Sequence, residues 1–302
     1  MSEITANLVK QLRDKTGVGM MDCKTALKEN NGDIEASIDW LRTKGIAKAS
    51  KKEGRIASEG LISLILEENL AAIVEINTET DFVARNEDFQ RIVETLTKIS
   101  LLSEDLEDMK SKKIKEKELS IEDFIMEAIT SIGEKINLRR MKKIEIENGL
   151  IVSYVHNQVC EGMGKIGVLV SLESDSDSEK LKDLGKKIAM HIAATNPVSI
   201  DINEIPEETL EREKKVLSEE ARSTGKPENI IEKITEGRLN KFYEENVLLE
   251  QTFVIDGESK IETVLNSLDS PVVIKEFVRM ELGEGLEKNE EGFSEEVNSL
   301  LS

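Results

Sequence analysis

Few side chains in this sequence are equipped for covalent chemistry. Its 302 residues contain two histidines, His156 and His191, and two cysteines, Cys23 and Cys160. Two thiols supply neither a disulfide framework nor a cysteine metal cluster. Two histidines leave metalloenzymes and histidine-dependent hydrolases short of ligands and bases. The 61 Asp and Glu residues offer chance pairs everywhere, and no pair is set apart by apolar neighbours as an acid/base couple would be. Gly283-Glu284-Gly285 lacks the third glycine and following helix of a dinucleotide fingerprint, and no GxxxxGK[ST] phosphate loop occurs. The expectation is therefore no catalytic residue, no metal ligand and no cofactor. His156 reads as a polar strand end before a flexible loop at 157–165, open to an exposed contact. His191, among Ala and Ile in a helix, reads as a half-buried packing residue.

The segment with most to say is NTETDFVARNEDF at 77–89, where a strand gives way to a helix. Thr80 is placed to cap a short helical turn, with Asp81 at its positive end. Phe82 is one of only seven phenylalanines, and it stands among carboxylates. On the residues alone an inward, core side chain is the favoured reading, with an outward contact as the alternative that its place among carboxylates leaves open.

The elements that must position this segment follow from periodicity. Ile4, Leu8, Val9 and Leu12 repeat at helical spacing until Gly17-Val18-Gly19; Asp22 opens a second helix, and Asp33 caps a third with Ile34, Ile38 and Leu41 on one face. This bundle, residues 1–55, carries 11 Lys+Arg against 8 Asp+Glu, whereas the whole chain is at −20. Residues 42–58 read as a basic, solvated linker, without the interleaved aromatics that stack on bases. Runs at 61–66 and 71–76 predict a β-hairpin. Phe89, Ile92, Val93, Leu96 and Ile99 predict a helix over 86–100, residues 103–118 a loop or exposed helix, and Ser120 with Asp123 the cap of another helix. Strands at 138–146 and 150–156 flank Asn148-Gly149, a strong hairpin signal. A strand at 166–172, a helix with Leu181, Leu184, Ile188 and Ile192, a projecting antiparallel helix pair at 206–246 turning at 224–227, and a strand at 272–281 complete an α+β chain.

Composition narrows the partners. Charged residues reach 34%, above the roughly 25% of ordinary proteins. A net charge of −20 disfavours a nucleic-acid coat, since such binding begins with phosphate neutralisation. No apolar run approaches the roughly 20 residues of a membrane span, and the N-terminus lacks the pattern of a signal peptide; a reduced, cytoplasmic setting is expected. On the residues alone, a stand-alone binding module and a carboxylate-dependent enzyme remain open beside a protein that acts on another protein.

TDFVARNEDF at 80–89 resembles the signature of bacterial translation elongation factors Ts. So do TGVGMMDCKTAL at 16–27, NGDIEASIDWLRTKG at 31–45, RIASEG at 55–60, IGEKINLRR at 132–140, KIGVLV at 165–170, AMHIAATNP at 189–197 and ELGEGLEK at 281–288, in order along the chain. The resemblance implies a guanine-nucleotide exchange factor for elongation factor Tu that makes and breaks no bond. It implies an N-terminal three-helix module like a ubiquitin-associated domain (1–55), core subdomains at 56–140 and 141–282, a coiled-coil insertion near 206–246 that serves partner contact or self-association, and a C-terminal module at 283–302. Thr80, Asp81, Phe82 and Val83 match the family segment that disturbs the partner's magnesium. Met20, Met21 and Asp22 match the motif that docks on its nucleotide domain, and His156 matches an interface histidine. Two departures stand out: 157–165 is longer than the glycine-rich link of some relatives, and Met280 occupies a position that is often aromatic. No direct nucleic acid or membrane partner is implied.

Overall fold

The computed structural model describes residues 4–50, 52–114, 118–175, 178–223, 225 and 227–286. Three helices come first: α1 (Ala6–Thr16), α2 (Met20–Glu29) and α3 (Ile34–Ser50). Thr5 caps α1 through the amide of Leu8, and Gly17 ends it in the left-handed conformation at φ 67°. α2 starts at Met20 with Gly19 as its N-cap, two residues before the expected Asp22, which lies within its first turn. Asp33 caps α3 by accepting from the amide of Ala36. Val9, Leu12, Val18, Cys23, Ala26, Leu27 and Leu41 are buried together as the module's own core. The expected linker at 42–58 is corrected in part, because α3 continues through it to Ser50. Its residue Arg42 reaches across to Asp123 at 3.3 Å.

Then come β1 (Glu59–Glu67), β2 (Leu70–Thr78), the single turn α4 (Asp81–Ala84), α5 (Glu87–Ser100), α6 (Leu106–Ser111), β3 (Lys113–Ile114), β4 (Leu119–Ser120), α7 (Ile121–Ile132) and β5 (Ile136–Glu145). α6 is less exposed than its charge suggested, since Met109 is fully buried. Next are β6 (Leu150–Cys160), β7 (Met163–Glu173), α8 (Ser178–Thr195), α9 (Glu207–Ser223), α10 (Glu228–Asn246), α11 (Ile261–Leu265) and β8 (Val273–Glu281).

Among the described residues, β5, β2, β1, β7 and β6 join in that order, and β8 also pairs with β7; every pairing is antiparallel. β7 meets β1 only through Met163 and Gly164, while its residues from Ile166 onward pair with β8. The sheet thus has two halves joined by a short seam. Alternation assigns the side chains. Val74 and Ile76 of β2 face α5 and α7 in one core, and Val168, Val170 and Leu172 of β7 face α8 in another. Ile73, Ile144, Ile151, Leu169 and Met280, drawn from both halves, form a third cluster on the opposite faces.

Three expectations about the second half are corrected. The strands flanking Asn148-Gly149 do not form a hairpin: β5 pairs with β2, and β6 with β7. Gly149 answers a different need, because a Cβ there would lie 2.0 Å from the carbonyl oxygen of Leu172. The loop expected at 157–165 is instead the end of a β6–β7 hairpin, with a bulge between Gln158 and Cys160. His191 is fully buried rather than half-buried. α9 and α10 run antiparallel and are bridged by Arg222–Glu228 and Glu220–Arg238, with Ala221 and Ile231 buried. Residues 224 and 226 of the turn expected at 224–227, and 287–302 of the module expected at 283–302, lie outside the described residues.

Candidate functional site

The hairpin β1–β2 ends at Thr78, and α4 follows after Glu79 and Thr80. A single turn of four residues has no stability of its own, so its conformation must come from its surroundings. Its exit is fixed by burial. Ala84 is buried, Val83 packs at the edge of the first core, and Asn86 caps α5 by accepting from the amides of Asp88 and Phe89. Phe89, Val93 and Leu96 then hold α5 on the sheet.

Its start is held differently from the expectation. Thr80 is the N-cap by position, but its side chain makes no capping bond. Thr80 Oγ1 instead donates to Glu134 Oε1 at 2.7 Å. Glu134 Oε2 accepts from the amide of Thr80 at 3.0 Å, the amide of Glu79 at 3.1 Å and Thr78 Oγ1 at 2.9 Å. The exchange is reciprocal, since Glu79 Oε1 accepts from the amide of Lys135 at 2.6 Å. Arg55 closes the other side of Glu79 at 3.0 Å, and Lys135 Nζ donates to the carbonyls of Glu53 and Arg55. Gly133, left-handed at φ 89°, ends α7 and delivers Glu134 and Lys135 to this place.

Phe82 projects from this braced turn with 81% of its surface exposed, which overturns the inward placement favoured by its residue type: Val83 and Ala84 take the inward positions instead. An outward phenyl ring on a fixed backbone is what a protein contact uses and what a core does not. Asp81 beside it pairs with Arg85 at 3.4 Å, an exposed ion pair of little energy.

The remaining expected residues sit on two other elements. Met20 and Met21 are exposed at the start of α2, Met21 by 74%, with Asp22 half-buried beside them. His156 is exposed on β6, and its Nδ1 lies 3.1 Å from the hydroxyl of Tyr154. Burial raises the thiols of Cys23 and Cys160, away from the thiolate that a nucleophile requires. Among the described residues, no helix is long and apolar enough to cross a membrane.

The profile of the family described as Elongation factor TS matches residues 79–284. The chain belongs to the elongation factor Ts family. Elongation factor Ts of Rhodospirillum rubrum is 52% identical over 307 aligned positions, covering 100% of this chain and 99% of that protein. Those of Parvibaculum lavamentivorans and Gluconobacter oxydans are each 50% identical, with 98% of both chains covered. The profile takes in α4, Glu134 and His156, while Met20–Asp22 fall only within the full-length alignments. Glu134 lies within IGEKINLRR, where nothing in the sequence assigns it a role. Its one local signal is a Glu-Lys pair directly after a helix-ending glycine. The partners, 54–56 residues away, leave no periodic trace.

Proposed function

We propose that this translation elongation factor binds elongation factor Tu carrying GDP, loosens its magnesium and so promotes release of GDP, after which GTP binds. The observation that carries the reading is the outward Phe82 on its braced turn, in a chain of this family. A GTPase holds GDP through backbone amides and a magnesium ion on the phosphates. A protein that binds the nucleotide-free form better must weaken nucleotide binding by the factor by which nucleotide weakens its own. In this reading Phe82 enters a crevice beside the partner's metal site. Asp81 helps hold that entry and perturbs the groups that orient the metal-bound waters, Val83 roots the turn in the core, and Thr80 anchors its start. The steps are binding and release, with no covalent chemistry.

Docking is assigned to Met20, Met21 and Asp22 of the ubiquitin-associated-like module (1–55), which engages the partner's nucleotide domain, and to His156. Core subdomains are read at 56–140 and 141–282, a boundary that falls within β5. α9 and α10 form a coiled-coil insertion for partner contact or self-association, 283–302 is a C-terminal module, and the setting is cytoplasmic.

The test is release of fluorescent GDP from elongation factor Tu at fixed free magnesium. Losing a central aromatic anchor removes roughly 2 kcal/mol or more. Phe82→Ala is therefore expected to slow stimulated release by about 30-fold, with the fold intact by circular dichroism. Unchanged release would refute the role of Phe82. No stimulation by the unmodified protein would refute the function.

A further inference from the structure

We propose that Glu134 is the positioning residue of the exchange site: it touches no partner group, and it acts by holding the start of α4 so that Phe82 is presented in one orientation. The inference rests on the exchange reading above and adds a residue and a physical role to it.

The argument is an account of what restrains the turn. Within α4 and its flanks, Arg85 N–H donates to the carbonyl of Phe82, and Asn86 N–H to that of Val83. Gln90 Nε2 reaches the carbonyl of Ala84. All of these act at or after Phe82. On the N-terminal side, the amides of Glu79 and Thr80 and the hydroxyls of Thr78 and Thr80 are all gathered on one carboxylate, Glu134. The Asp81–Arg85 pair cannot replace it, because both side chains are largely in water. Without Glu134 the chain between β2 and α4 keeps its exit, but its entrance is left to the side chain of Glu79 alone. Phe82 would then sample several directions, and each encounter would bear the ordering cost that a prearranged contact avoids.

The Glu79–Lys135 bond makes the brace reciprocal, and Lys135 and Arg55 extend it to residues 53–55. The brace therefore also fixes the chain that leads away from the three-helix module. The carboxylate is what the site needs. A glutamine would keep one acceptor oxygen, lose the charge that strengthens these bonds, and turn its N–H₂ either toward the amide donors or toward Thr80 Oγ1, whose hydroxyl would then accept rather than donate.

A double-mutant cycle in the fluorescent-GDP assay separates this role from simple stability. Glu134→Ala and Glu134→Gln are each placed in the unmodified and in the Phe82→Ala background, with melting temperatures recorded. If Glu134 acts through Phe82, either variant lowers the apparent second-order rate of stimulated release about tenfold in the unmodified background, and less than twofold where Phe82 is already gone. Hydrogen exchange at the amides of Glu79 and Thr80 is expected to quicken in both Glu134 variants. Equal losses in the two backgrounds, or no loss in the unmodified one, would overturn the proposal. If Phe82→Ala alone has no effect, the role given to Phe82 fails, and if the unmodified protein does not stimulate release, the exchange reading fails; both are different results from a failure of Glu134. Should Glu134→Ala not fold, Glu134→Gln, nearly isosteric, carries the cycle.

Discussion

Glu75 is a fully buried carboxylate in the middle of β2, and replacing it with glutamine probes what ties the end of β8 to the first half of the sheet. Its Oε1 accepts from Asn77 Nδ2 and from the amide of Gly283, both at 2.9 Å, and from Arg139 at 3.0 Å. Its Oε2 accepts from Arg139 at 3.0 Å and from Arg140. Glutamine preserves the shape and one oxygen, but it removes the charge and at least one arginine contact. Breaking a buried pair costs about 3–5 kcal/mol. The lower end applies here, because the arginine side chains keep 21% and 28% of their exposure and retain bonds to Glu284. A loss of about 3 kcal/mol in urea unfolding at neutral pH is expected, equivalent to roughly 5 °C in melting temperature for a chain of this size. The control is Glu284→Gln at the outer end of the same network, 42% exposed, where a loss under about 1 kcal/mol is expected. Acid sharpens the test. Burial alone would raise the Glu75 carboxyl, but the Gly283 amide, Asn77, Arg140 and Arg139 together hold it below its ordinary value. A depressed folded pKa contributes stability that is complete above the ordinary carboxylate range and is lost as the pH falls through the folded value. The gap between the unmodified protein and Glu75→Gln should therefore close on acidification. A neutral-pH loss no larger than that of the Glu284 control would refute the reasoning, since it would mean that the arginines rehydrate without cost.

Two further outcomes are expected. His191 is buried with both ring nitrogens engaged, Nε2 by Gln251 at 2.8 Å and Nδ1 by the amide of Val254 at 3.3 Å. Burial, opposed in part by Gln251, lowers its pKa, so the protein should lose stability as the pH falls below about 6.5; urea titrations from pH 7.5 to 5 should show a shallower slope in His191→Asn, and an identical slope would remove His191 as the cause. Met21→Glu on the exposed start of α2 should raise the concentration of this protein needed for half-maximal GDP release several-fold while leaving the saturating rate unchanged; the opposite split would place Met21 in the exchange step rather than in docking.

What the sequence makes legible is what is local. The helical repeat of Phe89, Ile92, Val93 and Leu96, the Ser120 cap with its bond to the Asp123 amide, and the run-turn-run of β1 and β2 each encode their own geometry within a few residues. Long-range pairing is not so encoded. Asn148-Gly149 marks a bend correctly, yet a bend does not choose a partner strand, and here the chain crosses from one half of the sheet to the other. Phe82 was legible as unusual because of its acidic setting, but its exposure depends on Ala84 and Val83 taking the inward positions of α4. Thr80 shows the same limit from another side. Its type fits a cap, and a carboxylate 54 residues away claims its hydroxyl instead.

The seam between β1 and β7 has a consequence for biosynthesis. Each half of the sheet is drawn from one unbroken stretch of chain, Glu59–Glu145 for the first and Leu150–Glu281 for the second. A ribosome thus delivers every buried residue of the core between β2, α5 and α7, Met163 apart, before β7 exists. Domains completed early in synthesis fold early, so the nascent chain can settle its N-terminal half while the rest is still being made. The cluster around Ile73 and Leu169 closes only when the later strands arrive to cover it.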